Sequence, residues 1–168
     1  MKKAVFLDRD GVIIALKPQS QAHGYICDKE EVVILPGVRQ ALDTLKSKGY
    51  ALIVITNQPA VARGLISVEG VEELHRFINE QLGNVIDRFY FCPHHPEMHP
   101  DVPEHAKKFR IACDCRKPLP GMILRAAEEL DLNLSQSWMI GDMVSDVATG
   151  IAAGCRTIML KSAANERV

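Results

Sequence analysis

Two carboxylates, Asp8 and Asp10, follow a continuous apolar run near the start of the chain. The run, residues 4–7, is typical of a strand buried on both faces, so both carboxylates can point into one crevice where it ends. Asp142 and Asp146 lie four residues apart at the start of a predicted helix and share one of its faces. Carboxylates this crowded repel one another unless a hard cation binds them, and Mg²⁺ prefers such ligands together with phosphate. For Asp146, the alternative of a plain helix cap stays open.

Two short chelating pairs lie in one Pro-rich segment, Cys92 with His94 and Cys113 with Cys115. Three sulfurs and one nitrogen are the ligand set of a tetrahedral zinc site. Four protein ligands leave no open coordination position, so we expect this zinc to be structural rather than to activate water. The two remaining cysteines are isolated and are interpreted as small apolar side chains: Cys27 and Cys155.

Strand-like apolar runs alternate along the chain with amphipathic helical segments. This alternation predicts an α/β fold, a three-layer Rossmann-like parallel sheet with helices on both faces. We expect one domain over residues 1–168, with no large cap domain and with a zinc-bound loop insertion. The predicted strands are residues 4–7, 50–55, 89–91, 138–140 and 156–160. The predicted helices follow Gly37, Ser67 and Pro120, and a last one covers 144–153.

Polar residues follow three of the predicted strands: Asp8 with Asp10, Thr56 with Asn57 in a polar turn, and Gly141 with Asp142. In parallel sheets, ligands bind beyond the carboxyl ends of the strands. The three polar clusters therefore predict one site at one edge of the sheet.

Composition excludes several classes of partner. The formal net charge is −1, so the chain has no basic field for nucleic acid and no polybasic arm for a membrane surface. Its apolar runs are far shorter than the roughly 20 residues that span a bilayer. The first residues resemble the start of a signal peptide, but charged residues from Asp8 onward interrupt the apolar stretch. We expect a cytoplasmic monomer whose partner is a small phosphorylated molecule.

Four blocks, taken in order, resemble the haloacid dehalogenase superfamily: residues 7–11, Thr56-Asn57, Lys117, and Gly141-Asp142 with Asp146. The resemblance covers nearly the whole chain. The Cys/His segment, together with Arg116-Lys117-Pro118, is similar to the zinc-containing branch of that superfamily. This branch holds D-glycero-D-manno-heptose 1,7-bisphosphate phosphatases and histidinol-phosphate phosphatases. The resemblance implies a phosphoric monoester hydrolase that uses Mg²⁺ and contains a structural Zn²⁺.

The resemblance also implies roles for individual residues. Asp8 would be the nucleophile that forms an aspartyl-phosphate, and Asp10 the general acid and then the general base. Thr56 would donate a hydrogen bond to the phosphoryl group, and Lys117 would neutralise its charge. Asp8, Asp142 and the backbone carbonyl of Asp10 would bind Mg²⁺. His95 competes with His94 as a zinc ligand, and the resemblance favours His94.

Substrate contacts are implied for seven residues: His23, Gly24, Tyr25, Asn57, Gln58, Arg63 and Arg116. Arg116 could grip a second phosphate bidentately. Arg63 could equally be a solvated loop charge, and Tyr25 could simply pack against its loop. We expect hydrolysis of D-glycero-D-manno-heptose 1,7-bisphosphate to the 1-phosphate.

Three alternatives stay open. The first is a histidinol-phosphate phosphatase, with the same chemistry and another leaving group. The second is a phosphoacceptor signalling domain that holds an aspartyl-phosphate without turnover, although Asp10 supplies the acid and base that hydrolysis needs. The third is a zinc-dependent structural module with a vestigial active site.

Overall fold

Five parallel strands form one sheet in the computed structural model, which describes residues 1–17, 24–96 and 102–161. The strands are β1 (Ala4–Leu7), β2 (Ala51–Asn57), β3 (Arg88–Cys92), β4 (Trp138–Gly141) and β5 (Arg156–Met159), in the order β3-β2-β1-β4-β5. The chain order reverses between β1 and β4, and in such sheets the ligand crevice lies at this point of reversal. The predicted α/β fold with a parallel sheet is confirmed.

The helices are α1 (Val38–Ser47), α2 (Val68–Gln81), α3 (Glu104–Lys107), α4 (Gly121–Leu130) and α5 (Val144–Ala152). Short 3-10 turns cover Lys29–Glu31 and Leu134–Gln136. The predicted cap of α2 is confirmed, because the Ser67 hydroxyl accepts the backbone N–H of Gly70 at 3.0 Å. α3 and the two turns were not predicted, since four residues or fewer cannot display a helical period.

Alternating residues of the central strands divide the core into two layers. Val5 of β1 packs in one cluster with Leu42 of α1 and Ile78 of α2. Phe6 packs in the other cluster with Ile123 of α4 and Met139 of β4. Successive strand side chains point to opposite faces, so these two clusters place helices on both sides of the sheet. The predicted three-layer arrangement follows.

The structure corrects two details of the prediction. Thr56 and Asn57 belong to β2 rather than to a turn, because they pair with the end of β3. β5 is not a buried strand, since among the described residues it pairs with β4 alone and leaves Ile158 and Met159 41% and 53% exposed. Among the described residues, no helix combines the length and the apolar composition needed to cross a bilayer.

Candidate active site

Three buried carboxylates meet where β1 and β4 end. Asp8 directly follows β1, Asp142 directly follows β4, and Asp146 lies in the first turn of α5. One carboxylate oxygen from each lies within 4.8 Å of the others. The predicted convergence of polar strand ends on one edge is therefore present, with Asp146 as a full member of the cluster.

Two glycines make room for this cluster. A Cβ at Gly11, whose φ is +80°, would lie 2.3 Å from Oδ2 of Asp142. A Cβ at Gly141 would lie 2.2 Å from Cβ of Asp146. Both distances are far below van der Waals contact, so a side chain at either position would displace a carboxylate.

Lys117 is buried and joins two of the carboxylates. Its Nζ lies 2.9 Å from Oδ1 of Asp8 and 2.6 Å from Oδ1 of Asp146, and it donates to the carbonyl of Ile55 at 3.2 Å. Burial alone lowers the pKa of this lysine, but the two carboxylates outweigh it and raise the pKa above its usual value. Lys117 therefore stays charged beside the predicted nucleophile.

The side chain of Asn57 places the backbone of Lys117. Its Nδ2 donates to the carbonyl of Lys117 at 3.1 Å, and its Oδ1 accepts the N–H of Lys117 at 3.0 Å. Asn57 is predicted to contact substrate, but here both the nitrogen and the oxygen of its side-chain amide hold the backbone of Lys117 against the end of β2.

The charge balance of the cluster fits a bound cation. Among the described residues, Lys117 brings one positive charge to three buried carboxylates, which leaves the cluster with net negative charge. Burial, with a smaller contribution from Asp146, raises the pKa of Asp8 to about 6 although Lys117 opposes the rise, and burial also raises the pKa of Asp142. A hard divalent cation with oxygen ligands would remove this penalty. Asp146 also accepts the backbone N–H of Met143 at 3.0 Å, so it is both a helix cap and a member of the cluster.

The carboxylate of Asp10 points elsewhere, into a second group of side chains. Its Oδ1 accepts from Nη2 of Arg9 at 3.0 Å, and its Oδ2 accepts from Nε2 of Gln58 at 3.0 Å. The same Gln58 nitrogen donates to the hydroxyl of Thr56 at 2.9 Å. Arg9 was not among the predicted site residues, although its place between the two aspartates was a signal that could have found it.

A cavity of about 330 Å³ opens over these residues. Its described lining combines Asp8, Arg9, Asp10, Thr56, Asn57, Lys117 and Asp142 with a wall formed by Leu16, Lys17, Gly24, Tyr25, Ile26, Pro59, Met143 and Ser145. Lys17, which the sequence did not single out, forms an ion pair with Glu31. Glu31 also accepts the backbone N–H of Cys27 at 2.9 Å, so the ion pair connects the wall at Lys17 with the wall at Ile26, the neighbour of Cys27.

The other predicted substrate residues are less uniformly placed. Gly24 and Tyr25 line the cavity, and the Arg63 guanidinium lies 5.4 Å from the centroid of the Tyr25 ring. Arg116 donates to the carbonyl of His94 at 3.2 Å and is not among the described residues of the lining. His23 falls outside the described residues.

The predicted zinc ligands come together. Cys92, His94, Cys113 and Cys115 face one another, with Sγ–Sγ distances of 3.1 to 3.5 Å and Nδ1 of His94 3.4 Å from Sγ of Cys115. Sulfurs around a tetrahedral zinc lie roughly 3.8 Å apart, so a slight expansion would admit the ion. The hydrogen bond between the two thiols raises the pKa of Cys92, to which burial adds, and lowers the pKa of Cys115 to about 5. His94, rather than His95, supplies the nitrogen in this described cluster.

Comparisons with known proteins give a consistent set of relatives. A family model described as HAD-hydrolase-like matches residues 114–167. The D-glycero-β-D-manno-heptose-1,7-bisphosphate 7-phosphatase of Haemophilus ducreyi is 37% identical over 163 residues, which are 95% of this chain and 82% of that protein. The Escherichia coli K12 protein of the same name is 37% identical over 160 residues, which are 94% of this chain and 78% of that one.

Solved structures similar to this chain carry the same kind of name as these sequence relatives. The crystal structure of D,D-heptose 1,7-bisphosphate phosphatase from B. bronchiseptica, complexed with magnesium and phosphate, superposes with a TM-score of 0.77. Its sequence identity is 29%, and the match covers 95% of this chain and 81% of that one. The corresponding Burkholderia thailandensis enzyme matches with a TM-score of 0.61 and 25% identity, over 96% of this chain and 79% of that one.

Proposed function

Because this chain belongs to the haloacid dehalogenase superfamily of phosphoric monoester hydrolases, we propose that it removes one phosphate from a sugar bisphosphate. The substrate we propose is D-glycero-D-manno-heptose 1,7-bisphosphate, which it would convert to the 1-phosphate with the help of Mg²⁺. The observation that carries the proposal is the buried Asp8 carboxylate, ion-paired with Lys117 and adjoining Asp10 in one small cavity.

The chemistry proposed for this geometry has two halves. In the first, a carboxylate oxygen of Asp8 forms a bond to phosphorus while the bond from phosphorus to the sugar oxygen breaks, and Asp10 gives that oxygen a proton. In the second, a water molecule attacks the aspartyl-phosphate while Asp10 takes a proton from it. Inorganic phosphate leaves and Asp8 returns to its starting state.

Positive charge and hydrogen-bond donors make the first half possible. A carboxylate cannot approach a phosphate dianion unless cations offset their repulsion. Lys117 is held beside Asp8 by three acceptors, so its positive charge would already be in place when a phosphoryl group arrives. The Thr56 hydroxyl accepts from Gln58, which leaves its own hydrogen to donate to a phosphoryl oxygen.

Two metal sites accompany this proposal. Asp8, Asp142 and the backbone carbonyl of Asp10 would hold Mg²⁺, which supplies charge neutralisation for the phosphoryl group when bound. Cys92, His94, Cys113 and Cys115 would hold a structural Zn²⁺.

The choice of sugar rests on the names of the relatives, since those from H. ducreyi and E. coli are both called heptose bisphosphate phosphatases. A bisphosphate has a second anion to accommodate. Arg116 could bind it only after releasing the carbonyl of His94. Lys17 lines the cavity but is ion-paired with Glu31, so it would have to share or release that carboxylate to bind the second phosphate.

Phosphate release from three compounds tests the proposal: the heptose bisphosphate, histidinol phosphate and p-nitrophenyl phosphate. We expect Mg²⁺-dependent multiple turnover with the highest kcat/KM for the heptose bisphosphate. Asp8→Asn should abolish turnover of all three, whereas Asp43→Asn, a change at an exposed residue of α1, should not. No turnover of the heptose bisphosphate would refute the proposed substrate, and a stable phosphoprotein formed in a single turnover would favour a signalling domain instead.

A further inference from the structure

Arg9 is the largest side chain fully buried in the described part of the protein, at 1% exposure. Its guanidinium forms a fork on the carboxylate of Asp10. Nη2 donates to Oδ1 at 3.0 Å, and Nε donates to Oδ2 at 3.2 Å. Burying a guanidinium is costly unless its charge is paired and its donors are used, so this position needs a carboxylate partner. The fork fixes both the place and the plane of that carboxylate.

Gln58 holds the fork from a second side and is only 2% exposed. Its Oε1 accepts from Nη2 of Arg9 at 3.0 Å. Its Nε2 donates to Asp10 at 3.0 Å and to Thr56 at 2.9 Å. The one amide group of Gln58 therefore contacts Arg9, the predicted acid and base Asp10, and Thr56, which is predicted to donate a hydrogen bond to the phosphoryl group. Swapping its oxygen and nitrogen would break the contacts with Arg9 and Asp10, which fixes the orientation of the amide.

His75 of α2 closes the third side of the guanidinium. Its Nε2 lies 3.4 Å from Nη1 of Arg9, and a guanidinium can only donate, so Nε2 is the acceptor and the proton of the ring is on Nδ1. The ring stacks on Phe89 at 4.8 Å between centroids and meets Phe91 edge-on at 5.6 Å. Burial, followed by the charge of Arg9, lowers the pKa of His75 well below its usual value, which agrees with a neutral ring.

We propose that Arg9, fixed by Gln58 and His75, is the positioning residue for the Asp10 carboxylate, and that Gln58 aligns Asp10 with Thr56. The inference rests on the proposed function, in which Asp10 transfers protons. The side chain of Asp10 is 28% exposed toward the cavity and would rotate there without the fork. Gln58 thus becomes a positioning residue rather than the substrate contact that its sequence suggested. Misplacing a catalytic group by about 1 Å can cost on the order of 100-fold in rate.

The test uses two esters that differ in their need for a proton. The leaving group of a sugar phosphate is an alkoxide, which needs a proton from the acid. The leaving group of 2,4-dinitrophenyl phosphate is a stable phenolate anion, which does not. For Arg9→Met, we expect kcat on the sugar phosphate to fall about 100-fold with KM nearly unchanged. The single-turnover rate of phosphoryl transfer from the dinitrophenyl ester should fall by less than about tenfold, and aspartyl-phosphate should accumulate because its hydrolysis still needs the base.

A double-mutant cycle with Asp10→Asn separates positioning from a general loss of structure. If Arg9 acts through Asp10, adding Arg9→Met to Asp10→Asn should change kcat by less than about threefold. If Arg9→Met lacks a cooperative melting transition, the cycle is repeated with Gln58→Met in its place. This substitution removes no charge from the buried group. Equal losses on both esters, or the full loss retained in the Asp10→Asn background, would overturn the inference. A wild-type chain that hydrolyses neither ester would instead refute the proposed function.

Discussion

Lys117 is the residue on which the buried charges of the site depend. Replacing it with Met leaves Asp8 and Asp146 without their cation, so we expect a loss of about 3–5 kcal/mol in the free energy of unfolding and a fall of about 100-fold or more in kcat. Urea denaturation and phosphate release measure the two effects. Lys46→Met is the control, because its ion pair with Asp87 is more than a third exposed and should contribute less than about 1 kcal/mol. Similar losses in both variants would contradict this account.

The lowered pKa of the buried His75 makes the stability of the fold depend on pH. Its pKa in the folded chain is well below the usual 6.5, so below pH 6.5 the unfolded chain binds more protons than the folded one. The free energy of unfolding should therefore fall as the pH falls, by up to about 1.4 kcal/mol per pH unit from this residue. Asp8, whose pKa is raised, acts in the opposite sense at acid pH, so the difference between variants is the quantity to measure.

The measurement compares urea denaturation of wild type and His75→Gln between pH 7.5 and 5. The variant should depend less steeply on pH over this range. The same substitution at the exposed His105 of α3 is the control and should leave the profile of the wild type. An unchanged profile in His75→Gln would show that the histidine does not resist protonation.

The sequence indicates the chemical groups of the site better than their contacts. Asp8, Asp10, Asp142 and the predicted zinc ligands stand out by type and spacing, and all lie where strand ends or chelating pairs predict. The contact between Arg9 and His75 joins residues 66 positions apart and depends on which way two side chains point from different elements. No local pattern encodes such a contact.

Among the elements, the Cys/His segment, residues 92–115, adjoins the site because Cys115 lies two residues before Lys117. We propose that zinc bound by this segment fixes the position of Lys117. We expect Cys113→Ser to lower the zinc content from about one ion per chain toward zero, to lower the melting temperature, and to reduce kcat through misplacement of Lys117. Cys27→Ser, at a half-buried cysteine outside the cluster, is the matched control. Elemental analysis and phosphate release give the measurements. Activity that followed zinc occupancy without any need for Mg²⁺ would contradict a structural role.

The elements themselves are largely predictable from the alternation of apolar runs and amphipathic stretches. The prediction fails where tertiary contacts override that pattern. Thr56 and Asn57 are polar, yet they continue β2 because β3 extends far enough to pair with them. Ile158 and Met159 are apolar, yet they are partly exposed on β5, which lies at the edge of the sheet that the described residues form. Pairing across the sheet, rather than composition, decides these boundaries.

For the molecule as a whole, the size of the cavity limits the substrate. About 330 Å³ suits a small metabolite, whereas a phosphorylated side chain on a folded protein would have to reach Asp8 past the wall that includes Leu16 and Tyr25. We expect kcat/KM for a phosphoserine protein to be at least about 100-fold below that for a sugar phosphate. Free phosphoserine is the control for chemistry, because it carries the same ester without the bulk. Comparable values for protein and sugar phosphate would contradict the size limit.

The parallel pairing of β1 with β4 also determines when the site can assemble during synthesis of the chain. Val5 of β1 pairs with Trp138 of β4, so the two halves of the carboxylate cluster come from opposite ends of the chain. At translation rates of about 5–20 residues per second, roughly 7 to 27 seconds separate the emergence of Asp8 from the ribosome and that of Asp142. Lys117 also emerges late in that interval. Until β4 docks beside β1, Asp8, the proposed nucleophile, lacks the neighbouring Asp142 carboxylate, so we expect the nascent chain to have no phosphatase activity.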